Sequence, residues 1–125
     1  MLNHSLILFF LLSSIEVNDL ESIIESFDVM NSDEIVNFFD SKTQLNIEGK
    51  LYQENNYKSS LILDSFFNDN DITSFNIIHK GDSEDKLIYL LGEYLSSDKI
   101  YKILIFVDES GEGLKIKEIK IDQRK

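Results

Sequence analysis

At Asp71 the hydrophobic rhythm of the chain changes, and that change limits the fold more than any single residue. Before it, apolar residues recur mostly at helical spacing. Leu20, Ile23, Ile24 and Phe27 fall at i, i+3, i+4 and i+7, one face of a 3.6-residue period. After it, they alternate or run continuously in short segments bounded by turn residues, the signature of strands. The stretch from Asp64 to Gly81 carries the switch, from the end of an apolar helix through an acidic turn into a strand. A chain of 125 residues has room for one core. Helices before the switch must therefore lie on the sheet formed after it. The expectation is an α+β architecture, three N-terminal helices packed on an antiparallel sheet.

The first helix is predicted from Val17 to Met30, with Asn18 and Glu21 at the spacing of a capping pair. Asn31 and Glu34 repeat that spacing before a short second helix with Ile35, Val36, Phe38 and Phe39 on its apolar side. Thr43, Leu45 and Ile47 alternate with polar residues, a half-buried strand that Gly49 closes. Asn55 or Asn56 caps a third helix over Tyr57 to Asn68, apolar around more than half its circumference and so covered by other elements. Four strands follow: Ile72 to His79, Lys86 to Leu95, Ile100 to Val107 and Leu114 to Ile121. The chain has no proline, so Gly81–Asp85, Ser96–Asp98 and Asp108–Gly113 supply the turns. In the last strand Ile116 and Ile119 differ in parity. A β-bulge near Lys117 and Glu118 puts Leu114 and Ile116 on one buried face with Ile119 and Ile121.

Charge narrows the partners. A formal charge of −11 and a pI near 4.4 repel phosphate backbones and anionic membrane surfaces, which argues against nucleic acid as a partner. Without cysteine there is no disulfide, thiolate metal site or cysteine nucleophile. The apolar run Leu6 to Leu12 is far short of the roughly 20 residues that span a bilayer, so stable membrane insertion is not expected. With Ser13 and Ser14 after it, it fits the apolar region of a signal peptide. The expectation is a signal over residues 1–14 and one exported domain over 15–125.

Motifs for chemistry are few. Asp108-x-Ser110-x-Glu112-Gly113 resembles the start of a calcium loop, but Ile119 stands where a bidentate Glu is needed. Asn68 to Asp71 concentrates oxygen ligands without the Gly or the terminal Glu of such a loop, and reads as a solvated acidic turn. No dinucleotide fingerprint or nucleophile elbow is present, and no metal or cofactor is expected. His79 is the remaining reagent. On a regular strand it shares a face with Phe75 and Ile77 and is shielded from water. Tyr89, Tyr101 and Glu93 come to that face if the strands pair in order. Together with Phe66 they are the residues expected to line a site for a small apolar or mixed-polarity molecule. Three roles for His79 follow, in order of weight: a structural hydrogen bond to Tyr89 or Tyr101, a contact to a ligand, and a general base.

Phe66-Phe67, Ser74-Phe75 with Ile77 to Gly81, Leu91-Gly92 and Ile116 to Ile121 together resemble the domain-of-unknown-function family 4783. Its members are short, usually secreted bacterial proteins, similar to the nuclear-transport-factor-2-like superfamily. The resemblance implies a cone, with a curved antiparallel sheet wrapped on helices, also described as cystatin-like. It implies no known activity. In the superfamily, enzymes place acid–base residues in the cone, and many members pair through the sheet. The expected function is a non-enzymatic binding or interaction module of the cell envelope. The alternative is a small acid–base enzyme, of isomerase or dehydratase type, using His79. A homodimer is expected through a sheet face lined by Ile88, Leu90, Tyr94, Leu104 and Phe106.

Overall fold

A computed structural model of the protein describes residues 19–125; the apolar run and the expected cleavage point near Ser14 to Asn18 lie outside them. Helix α1 covers residues 19–28 of the described chain. Then come α2 (Ser32–Asn37), β1 (Phe39–Ile47), β2 (Lys50–Tyr52), α3 (Asn56–Asp69), β3 (Ser74–Ser83), β4 (Leu87–Leu95), β5 (Ile100–Asp108) and β6 (Lys115–Gln123). The capping residues act as their chemistry dictates. The Asn31 side chain accepts from the Glu34 N–H at 3.2 Å, and that of Asn55 accepts from the Lys58 N–H at 2.8 Å.

The six strands form one sheet in the order β2-β1-β6-β5-β4-β3. Two features differ from the expected all-antiparallel sheet under three leading helices. First, the third helix α3 follows a β1–β2 hairpin, where a single strand was expected before it. The missed β2 is three residues long, with Leu51 exposed, and joins β1 through Glu48 and Gly49, both at positive φ. Second, β1 pairs with β6 in parallel, whereas the pairs from β3 to β6 are antiparallel. The chain leaves β1 through α3 for the far edge and returns by three reversals, which brings β6 back beside β1 in the same direction. Thr43 secures that seam. Its hydroxyl donates to the Ile116 carbonyl at 2.6 Å and accepts from the Asp40 N–H, where the parallel register slips between Phe39 and Gln44.

One core lies between helices and sheet. Rows of paired residues run across its inner face, such as Leu90–Ile105–Ile119–Leu45 and Gly92–Ile103–Ile121–Ile47. Ile23, Phe27, Ile35, Leu63 and Phe66 cover them from the helices. The expected bulge is present. Phe106 pairs with Glu118 and Val107 with Ile116, which leaves Lys117 unpaired and buries Ile116, Ile119 and Ile121 completely.

Candidate functional site

The cone interior is filled rather than open. Phe66 meets Tyr101 edge-on at a centroid distance of 5.1 Å and Phe67 meets Tyr94 at 5.3 Å, while Phe75 lies 4.8 Å from Tyr94. Phe27, Phe39 and Phe66 are 0, 6 and 6% exposed. The polar tips inside are satisfied. Tyr94 donates to the Phe27 carbonyl at 2.9 Å, and Tyr101 donates to Asn70 Oδ1 at 2.7 Å. Burial, reinforced by the Asp28 carboxylate, pushes the Tyr94 phenol well above its ordinary range. Asn70 in turn donates to the Phe66 carbonyl at 2.8 Å, so its side chain closes the end of α3 and orients Tyr101. Among the described residues, no three His, Asp or Glu side chains are placed to share a metal ion.

The five residues expected to line one site are divided between the two faces of the sheet. Tyr101 and Phe66 belong to the core. His79, Tyr89 and Glu93 lie on the outer face, turned away from the helices. Tyr101 pairs with the inward Tyr94, whereas Tyr89 and Glu93 alternate with it on β4 and face outward; His79 joins them because of a second bulge. Ile77 pairs with Gly92 but His79 pairs with Leu91, so Ile78 is the extra residue and everything after it changes side. His79 is therefore exposed, not shielded with Phe75 and Ile77. Of its two expected partners it meets one, with Nε2 3.1 Å from the Tyr89 hydroxyl. The strand also runs on through Gly81 to Ser83, where a turn was expected. Gly81 faces the Tyr89 ring so closely that any side chain there would collide with it. Glu93 has a different partner, accepting from Arg124 Nη1 at 2.8 Å.

The expected dimer face needs the same correction. Leu90 and Tyr94 are fully buried in the core and Ile88 packs against it; Leu104 and Phe106 do face outward. Strand β4 is apolar on both sides, so alternation alone does not say which side is inner. Gly92 does, because it gives the Phe75 ring room to lie across the sheet, 2.8 Å from where a Cβ would stand. The outward residues of β4 are Leu87, Tyr89, Leu91, Glu93 and Leu95. Leu87, Tyr89 and Leu91 join Leu104 and Phe106 in a half-buried apolar stripe. A groove flanks it at each end. One, of about 560 Å³, is lined by Ile78, Leu91, Glu93, Lys102 and Arg124 among others. The other, of about 460 Å³, is lined by Leu87, Phe106, Lys42, Lys117 and Glu118 among others. Each bulged residue, Ile78 and Lys117, therefore lines one groove, a pair of contributions that regular alternation in the sequence does not reveal.

A family model for a domain of unknown function, DUF4783, matches residues 20–122. The chain belongs to this family. A DUF4783 protein from Bacteroides ovatus has a crystal structure that is 21% identical, with a TM-score of 0.74, covering 83% of this chain and 94% of that one. An NTF-2-like protein of unknown function from Silicibacter pomeroyi is 14% identical with a TM-score of 0.61, covering 90% and 98%. A cystatin-like domain of unknown function from Nostoc punctiforme is 11% identical with a TM-score of 0.64, covering 90% and 77%. These likenesses establish the nuclear-transport-factor-2-like α+β fold for this DUF4783 chain. Among curated proteins, none matches it.

Proposed function

We propose that this DUF4783 protein is a non-enzymatic interaction module of the cell envelope, and that it works through the outer face of its sheet. The occupant of that face is a second copy of the chain. One observation carries the reading: aromatic side chains plug the cone, while Leu87, Tyr89, Leu91, Leu104 and Phe106 form a continuous half-buried apolar stripe on the outer face of the sheet. Charge favours self-association there. Residues 99–125, which make β5 and β6, hold seven basic and five acidic residues, a net +2; residues 1–98 hold five basic and eighteen acidic, a net −13. Two copies repel least through the face those strands build. Opposite charges also alternate across it, as in the cross-strand row Glu93–Lys102–Asp122, which suits the self-complementary patch a two-fold contact requires.

The acid–base alternative has less support, because Glu93 is engaged by Arg124 and His79 is paired with a phenol on an open face. The envelope location rests on the Leu6–Leu12 run. N-terminal sequencing of native protein should find a start near Ser14 to Asn18, and intact Met1 in a cytosolic fraction ends that part. Sedimentation velocity tests the interaction. Wild type should sediment as a dimer and Leu104→Lys as a folded monomer, whereas a wild type that stays monomeric at high concentration contradicts the proposal.

A further inference from the structure

The groove at the Ile78 end of the outer face has an unequal lining. Ile78 and Leu91 form an apolar wall, and the bulge leaves Ile78 54% exposed, unusual for so large an aliphatic side chain. Charged side chains of β4, β5 and β6 make up the rest. Arg124 is the best placed of them. Its backbone N–H donates to the Ile100 carbonyl at 2.8 Å, which anchors the residue beyond the end of β6. Its guanidinium is oriented by Glu93, whose side chain is only 19% exposed. A guanidinium carries five N–H donors, and among the described residues the Glu93 carboxylate is the side-chain group it bonds. Lys102 stands between Glu93 and Asp122 in register, yet comes within ion-pair distance of neither. The charged side chains of the lining are Lys102, Arg124 and Lys125 with Glu93 and Asp122.

We propose that this groove binds a medium-chain alkyl carboxylate. The alkyl chain lies on Ile78 and Leu91, and the carboxylate takes the remaining donors of Arg124 with Lys102 beside it. Planar, forked recognition is what a guanidinium offers a carboxylate. A monoanion suits the groove better than a phosphate dianion, which would face Glu93 and Asp122 across it. The volume of about 560 Å³ lies within the range of small-molecule sites, roughly 300–1,000 Å³. The groove shares Leu91 and the Glu93–Lys102–Asp122 row with the proposed dimer face, so the ligand binds the free chain and competes with the second copy there.

Calorimetric titration of the full chain with decanoate, and separately with decanol, tests it. Decanoate should bind saturably, one per chain, and decanol at least about tenfold more weakly. Arg124→Gln should weaken decanoate by about tenfold or more. Ile78→Asp should also weaken it. Both positions are exposed, so the circular dichroism of both variants should match wild type. Absence of decanoate binding, equal binding of decanol, or an Arg124→Gln variant that binds like wild type would each overturn the proposal. Sedimentation of the same wild-type samples keeps this result apart from the dimer, since either can fail alone.

Discussion

Strands β6 and β3 each carry one extra residue, yet only one of the two bulges can be read in the sequence. In β6 the bulge at Lys117 lies between Ile116 and Ile119, and all three isoleucines from Ile116 to Ile121 must be buried. The break in apolar parity is the visible trace. In β3, an edge strand, the bulge at Ile78 is followed by His79, Lys80, Gly81 and Asp82, none of which the core needs. With nothing apolar after the slip, the sequence carries no phase to compare. The difference teaches that a bulge is legible when burial constrains both sides of it, and silent when it passes into solvent.

The largest effect should come from breaking phase where burial enforces it. Deleting Lys120 makes Ile119 and Ile121 consecutive, so both cannot face the core. The loss should be at least about 2–5 kcal/mol, the scale of emptying one buried aliphatic position, read by denaturant unfolding. An equally stable variant would mean that β6 slides freely and that the bulge sets nothing. The next effect belongs to β4 opposite the unbulged half of β3, where Phe75 pairs with Tyr94. Tyr94→Phe removes the donor to the buried Phe27 carbonyl and should cost about 1–3 kcal/mol. It should also alter the alkaline limb. The Tyr94 phenol is raised in the fold, so its contribution is complete below the ordinary value of 10.0 and is lost as pH rises beyond it, when the unfolded chain ionises first. Unfolding followed between pH 9 and 11 should show a shallower decline for the Phe variant than for wild type.

Smaller effects are expected at the bulges themselves. Deleting Lys117 makes Ile116 and Glu118 consecutive, as their partners Val107 and Phe106 already are on β5. No buried side chain changes face, and the loss should stay below about 1 kcal/mol in the same melts. A loss as large as that of the Lys120 deletion would sink the bulge assignment. His79→Ala should be the mildest, within about 0.5 kcal/mol, because the bond to Tyr89 is exposed to water. A loss above about 1 kcal/mol would restore the shielded histidine that regular alternation implies.

Much of the fold was legible because local chemistry and burial agreed. Asn31 and Asn55 cap helices as their side chains allow, and the four C-terminal strands follow the apolar rhythm. The parallel β1–β6 seam was not legible, since pairing direction depends on the route of the whole chain and leaves no mark in either strand. The site was legible only in part. Tyr89 was found as the partner of His79, but Tyr101 and Phe66 were drawn to the same site by an alternation that Ile78 interrupts. Arg124 was missed because its role comes from reaching across to Glu93, 31 residues away in sequence.

The central claim is that the outer sheet face, and not the plugged cone, is the working surface. Amide chemical shifts of isotope-labelled protein over a dilution series test it most directly. The account predicts concentration-dependent shifts centred on Leu87, Tyr89, Leu91, Leu104 and Phe106, with Phe27, Phe66 and Tyr94 unmoved. Shifts centred on those core aromatics, or none at any concentration, would contradict it.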